Sequence, residues 1–440
     1  VRGSPGSRLF LLPLVLFVAL GAVHVWTEGD QGIGIDYFQF WAVGQAVRER
    51  LVEDIYGPEA WGPLAGIFME RARSDGARRH LAAATFRREE IQTSNTPFLY
   101  AAVYAIESGD YERDIARFRL LGLLLAVASI GALCRSAGWP LAATLMAIGY
   151  AVWAFAPLRD DLREGNVNSI QLACLALFVV MIRSGGPAWR EILAGAILGA
   201  GTAFKPNLLF VPLALIVAWA LQRRFDVLIR RTAGMAAGGL LGVAAGGLFF
   251  GSLAPWLAWA DSARKIQETF GSEVRWGSFG GARLLLDATG SNLSPLLYLF
   301  TIGAVGFAAW RLGAGLREGS GGGPAGRAAA SGSPFGADCC ILGLGALVPL
   351  LSADLAWPHY LVQAIPLVIW LLRPAASAGL AGAMAIAGLA AISSSPVVDW
   401  LASGSDYAYA LPLAGGCLAL FSAGLIAAAR GNGVAIGAEG

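Results

Sequence analysis

The chain has 440 residues, 56% of them hydrophobic and only 14% charged, with a net charge of +2. A soluble domain carries about 25% charged residues, so a soluble enzyme is excluded and a bilayer is the expected surrounding. A charge so close to balance gives no reason to expect nucleic acid as a partner.

In chain order, Arg2 and Arg8 precede an apolar run over 9–26. No small-residue cleavage site follows it, so it is read as a retained first span. A long loop, 27–112, comes next, with amphipathic candidates at 37–50 and 58–72 and a basic run, ARRHLAAATFRREE, after them. Residues 97–107 (PFLYAAVYAIE) are apolar but too short to cross, and are expected to lie re-entrant or at the interface. Further spans are expected at 113–134, 139–157, 167–183, 191–204, 207–222, 232–253, 294–311, 338–352, 359–373, 376–392 and 409–429. That makes about twelve. If they alternate, Arg135, Arg183 with Arg190, Arg223 to Arg231, Arg311 to Arg327, Arg373 and Arg430 all fall on the side of the N-terminus. The positive-inside rule then makes that side cytoplasmic and puts loops 27–112 and 254–293 outside. The Gly/Ser/Ala-rich stretch 313–337 is a cytoplasmic linker between a front module, 1–312, and a rear module, 338–430, with a tail at 431–440. The five cysteines have no ligand-like spacing, so neither a disulfide framework nor a zinc site is expected.

Polar groups at membrane depth are costly and mark candidate sites. Asp36 follows the first span among Tyr37, Phe38, Phe40 and Trp41. It is either the cap of a helix starting at Tyr37 or a base at the lip of a site. The turn RDDLREGNVNS, 159–169, offers Asp160 and Asp161 for a metal and Arg163 for phosphate, unless it is a solvated turn. Asn166 and Asn168 open the next span, where polar groups need partners. In FKPN, 204–207, Pro206 breaks the helix, and Lys205 is either a point charge for phosphate or snorkels to the interface. His359 in WPHY is either a hydrogen-bonding group or structural. Trp256, Trp259, Arg264, Lys265, Arg275 and Trp276 mix cations with aromatics in the second outer loop, as an interfacial helix also would.

The order IDYFQFW, TPFLY, GNVN, FKPN, PHY resembles the polytopic GT-C glycosyltransferases. The resemblance is closest to the glycosyltransferase 87 family of bacterial polyprenyl-phosphate-dependent mannosyl- and arabinosyltransferases. The family's usual G-Q-x-N is here Gly165-Asn166-Val167-Asn168, and its Y-P-P step is Thr96-Pro97-Phe98. The resemblance implies an all-α, GT-C-like bundle with amphipathic helices in the first outer loop. It implies transfer of a hexose or pentose, mannose first, from a polyprenyl-phosphate sugar to a glycolipid or glycan at the outer face of the bacterial inner membrane, among membrane lipids. Asp36 is then the base. Lys205, His359, Arg163, Asn166, Asn168, Tyr37 and Tyr100 bind substrate. No cofactor is required, although Asp160 and Asp161 keep a divalent metal open. The rival class is a transporter or flippase of lipid-linked sugars, which predicts charges near mid-membrane and repeat symmetry.

Overall fold

The computed structural model describes residues 5–183, 187–270, 278–318, 334–373, 379–401 and 406–430. These residues are helical, with no strand among them. Helix α1 (Pro5–Gln31) leads into the long first loop, which folds as α2 (Ile35–Glu49), α3 (Pro58–Asp75), α4 (Arg78–Phe86) and α5 (Pro97–Tyr104). Then come α6 (Tyr111–Ser136), α7 (Leu141–Trp153), α8 (Ala156–Glu164), α9 (Asn168–Arg183), α10 (Ala188–Phe204), α11 (Phe210–Leu221) and α12 (Phe225–Phe250). The second long loop holds α13 (Ala254–Phe270) and α14 (Gly281–Thr289). The chain closes with α15 (Ser294–Glu318), α16 (Pro334–Ser352), α17 (Ile365–Leu371), α18 (Leu380–Leu401) and α19 (Asp406–Ala429). Short 3₁₀ turns at Pro206–Leu208 and Pro358–Ala364 lead into α11 and α17.

The expected count of about twelve spans is not confirmed. Among the described residues, seven helices are long and apolar enough to cross a membrane, or eight if α7 and α8, bent by 56°, form one span. The described residues of the expected spans are mostly helical, but α9 and α10 have only 16 and 17 residues. At 1.5 Å per residue these reach about 25 Å, short of a hydrocarbon core of about 30 Å. Most of the expected linker, 319–333, and the tail at 431–440 lie outside the described residues, as do Arg275 and Trp276.

Glycines set how closely the helices approach. A Cβ on Gly195 or Gly199 of α10 would lie 2.1 Å from Arg231 O or 2.0 Å from Met235 O of α12. On Gly234 or Gly238 of α12 it would meet the carbonyls of Ile192 and Ala196 as closely. Only small residues let two backbones pack this way, and this contact positions α10, at whose C-terminal end Lys205 sits. Farther along α12, Gly242 and Gly246 make room for Phe98 and Pro97. The apolar helix α5 therefore lies against α12 and does not cross. The α2–α5 unit has its own core, in which Phe38, Trp41, Phe68, Tyr100 and Tyr111 are buried.

Near the opposite ends of these helices, Asp338 of α16 is buried and accepts from Arg224 at 2.7 Å, Arg231 at 2.6 Å and Trp219 at 2.9 Å. Arg231 also bonds Glu191, so α10, α11, α12 and α16 share one buried ion cluster.

Candidate active site

Helix α2 begins at Ile35, not at Tyr37. Its cap is Gly34, with φ 73°, and no side chain bonds the first turn. A Cβ at Gly34 would sit 2.0 Å from Ile115 Cδ1, so the left-handed turn and the packing both require glycine. Asp36 is thus in the first turn, where the helix dipole favours an anion, and its side chain is free for other partners.

The partner is Asn166. Gly165, at φ 67°, ends α8, and a Cβ there would lie 2.6 Å from Tyr37 Cβ. This close approach brings Asn166 against the start of α2. Asn166 Nδ2 donates to Asp36 Oδ2 at 2.5 Å and lies 3.1 Å from His359 Nε2. Asn166 Oδ1 accepts from Lys205 Nζ at 2.8 Å and from Asn168 Nδ2 at 3.1 Å. The amide's orientation is decided by chemistry: an ammonium only donates and a carboxylate only accepts. One asparagine therefore joins the long first loop, the α8–α9 turn, the α10 break and the turn before α17.

Lys205 is held in the β region at the end of α10, as the following proline demands. Thr96 fixes that break from the other side: its Oγ1 donates to Phe204 O at 2.7 Å while accepting from Leu99 N to cap α5. The Lys205 ammonium lies 5.0 Å from the centre of the Tyr360 ring, a cation–π distance. Lys205 is only 9% exposed and His359 5%. Lys205 is therefore not snorkelling. Asp36 is more open: its side chain is 22% exposed and Oδ1 faces Arg87 Nη2 at 3.9 Å.

An amide belt lies behind these groups. Gln363 Nε2 donates to Asn168 Oδ1 at 3.1 Å and to Gln171 Oε1 at 2.8 Å. Gln171 Nε2 donates to Lys205 O and to Asn207 Oδ1. Asp161 accepts from the backbone N–H groups of Asn168 and Ser169 and from both of their side chains, so it caps α9.

Not every expected residue joins the cluster. Arg163 points to solvent, with its side chain 66% exposed, 3.9 Å from Glu164. Tyr37 is turned into the loop core, its ring 4.8 Å from that of Phe118, and Tyr100 packs in the same core against Tyr56. Asp160 accepts from the Tyr409 hydroxyl at 2.9 Å. Among the described residues, no three His, Cys, Asp or Glu side chains are grouped so as to hold a metal. Trp256 and Trp259 donate to backbone carbonyls, and Arg264 and Lys265 pair with Asp261 on the surface. The sequence reading missed Arg87, Gln171, Asn207 and Gln363. Asn207 lies inside the FKPN motif, while Gln171 is one helical turn after Asn168 and Gln363 is four residues after His359, so motif membership carried a signal for the first and helical spacing for the other two.

The fold and site define a polytopic helical membrane protein with a buried polar cluster where its long first loop meets the helix ends. A family model, Glycosyltransferase family 87, matches residues 94–332, just over half of the chain, and the chain belongs to this family of glycosyltransferases. No curated protein and no solved structure matches it. The matched stretch contains Asn166, Asn168 and Lys205. Asp36 and His359 lie outside it and are joined to it by the hydrogen bonds of Asn166.

Proposed function

We propose that this glycosyltransferase moves a hexose or pentose, mannose first, from a polyprenyl-phosphate sugar to a glycolipid or polysaccharide at the outer face of the bacterial inner membrane. The reading rests on one observation: Asp36, Lys205 and His359, distant in sequence, meet on Asn166. Asp36 is the base. Asn166 holds its Oδ2, and its Oδ1 faces Arg87. The acceptor O–H gives its proton to Asp36 as its oxygen forms the new bond to the anomeric carbon. The bond from that carbon to the phosphate oxygen breaks, and the electron pair leaves with polyprenyl phosphate. A single displacement of this kind inverts the anomeric centre. Lys205 sets a fixed positive charge toward the departing phosphate, and the His359 ring lies beside it. The charge that develops is that of one phosphodiester becoming a monoester, and the reaction needs no metal.

The test compares membranes carrying wild type or Asp36→Asn at equal expression. Each is offered a panel of polyprenyl-phosphate sugars with a crude lipid acceptor extract, and release of polyprenyl phosphate is followed. Removing a general base costs about 10²- to 10⁴-fold, so the variant is expected to fall in that range. Turnover within a few fold of wild type would refute the assignment of Asp36. No transfer from any donor, with movement of the donor across the membrane, would favour the transporter class.

A further inference from the structure

Arg119 lies about two turns into α6, inside a helix long and apolar enough to cross a membrane, and is 2% exposed. A charge at such a place is costly unless its surroundings meet it. Elsewhere in this fold a buried arginine is met by carboxylates, as Arg231 is by Glu191 and Asp338. The hydrogen bonds of Arg119 go instead to backbone carbonyls. Its Nε donates to Leu162 O at 2.9 Å, and its Nη2 donates to Gly32 O at 2.9 Å and to Arg163 O at 2.8 Å.

Those carbonyls belong to two short segments that lead into the site. Leu162 and Arg163 are in the last turn of α8. Carbonyls in a last turn lack helical partners and carry the negative end of the helix dipole, so a fixed cation suits them. Asn166 follows Arg163 by three residues, and Gly32 precedes Asp36 by four. One guanidinium nitrogen therefore fastens the segment that carries Asp36 to the segment that carries Asn166. Gly32 lets them come together, because a Cβ there would lie 2.5 Å from Arg163 Cγ and 2.6 Å from Arg163 O.

The preceding turns of α6 grip the same strip of backbone. The Tyr111 hydroxyl donates to Ile33 O at 2.7 Å and lies 3.1 Å from Gly34 O, and Ile115 packs on Gly34. Tyr111, Ile115 and Arg119 are spaced by four residues, so they share a face of the helix. The carbonyls of residues 32, 33 and 34 are all held by that face, and α2 starts at the next residue. A planar guanidinium aims its donors in fixed directions, whereas an ammonium is a point charge on a flexible stem.

We infer that Arg119 is a positioning residue, which sets the Asn166 amide against the Asp36 carboxylate by fastening the ends of α1 and α8 to each other. Its bearing on catalysis rests on the assignment of Asp36 as base. Its hold on the two segments does not. A misplacement of about 1 Å can slow an enzyme about 100-fold.

The experiment uses the full-length protein in nanodiscs. Arg119→Met is expected to lower kcat per folded enzyme at least tenfold, with KM for the lipid-linked donor within threefold. Arg119→Lys is expected to remain at least fivefold down, and carries the test if Arg119→Met does not fold. Leu123→Ala, one turn farther along α6 and in the core, is the control for lost stability and is expected to keep kcat within threefold. In an Asn166→Ala background, the change at Arg119 is expected to cost less than threefold more, because residues acting through one contact are not additive. Three kinetic results overturn the inference: kcat within threefold of wild type in a folded Arg119 variant; an equal loss in Leu123→Ala; or losses at Arg119 and Asn166 that multiply in full. A second readout needs no substrate. Asp36→Cys with Asn166→Cys is treated with dibromobimane, which fluoresces on bridging two nearby thiols. Bridging is expected to slow at least tenfold when Arg119→Met, or Arg119→Lys, is added. No bridging with Arg119 in place, or the same rate without it, overturns the inference. Equal transfer by wild type and Asp36→Asn, with bridging still dependent on Arg119, would refute the assignment of Asp36 and leave the positioning role standing.

Discussion

Replacing Asn166 with alanine tests whether one amide organises the site. The change removes the donor 2.5 Å from Asp36, the acceptor 2.8 Å from Lys205 and the contact at 3.1 Å with His359. A hydrogen bond to a charged group contributes about 1.5–3 kcal/mol. If the bond to Asp36 is needed in the transition state, its loss alone slows turnover about 10- to 150-fold, at 1.36 kcal/mol per tenfold. Lys205, only 9% exposed, also loses its acceptor. A buried donor left without a partner costs about 1–3 kcal/mol, and more when charged, so folding stability falls as well. A second variant separates the two effects. Asn166→Asp has nearly the same volume and gives Lys205 an anionic acceptor, so stability should recover. It also sets a carboxylate against Asp36, where like charges disfavour the ionised base, so activity should not recover. The assay is the initial rate of sugar transfer per folded enzyme, with thermal unfolding in the same detergent. Turnover of Asn166→Ala within threefold of wild type, or activity restored by Asn166→Asp, would refute the reasoning.

Gly165→Ala should destabilise the fold by about 1–3 kcal/mol and slow transfer, because φ is 67° and the new Cβ would lie 2.6 Å from Tyr37 Cβ; an unchanged unfolding temperature would contradict this. Arg163→Ala should leave transfer within threefold, since that side chain is 66% exposed and outside the cluster; a tenfold loss would bring Arg163 back as a phosphate ligand. In the long first loop, burial pushes the Glu107 carboxyl up to about 9, while Gln45 donates to it at 2.9 Å. Its folded pKa is above its unfolded one, so the neutral form is favoured on folding, and stability is lost as pH rises from about 5 through 9. Glu107→Gln should flatten that part of the stability–pH curve, which unfolding temperatures at pH 6, 7.5 and 9 would show; identical slopes would refute it.

Composition and patterning determined that this chain is a helical membrane protein. Polar residues in apolar surroundings, at Asp36, Asn166, Lys205 and His359, were conspicuous because each costs free energy unless it is satisfied. The number of crossings was not legible. The apolar runs at α9 and α10 show where helices form, whereas their capped lengths of 16 and 17 residues and the bend between α7 and α8 emerge only from the folded backbone. Nor was it legible which polar groups meet. Asn166 touches residues 130 and 193 positions away, and no local pattern encodes such a contact. It follows from glycine-mediated approaches, Gly165 on Tyr37 and α10 on α12, that exist only once the helices are packed. The same packing turns Arg163 outward although it adjoins the motif, and brings Arg87 from an unremarkable basic run to 3.9 Å from Asp36. Residue chemistry is written along the chain, but which charges meet is decided where distant helix ends come together.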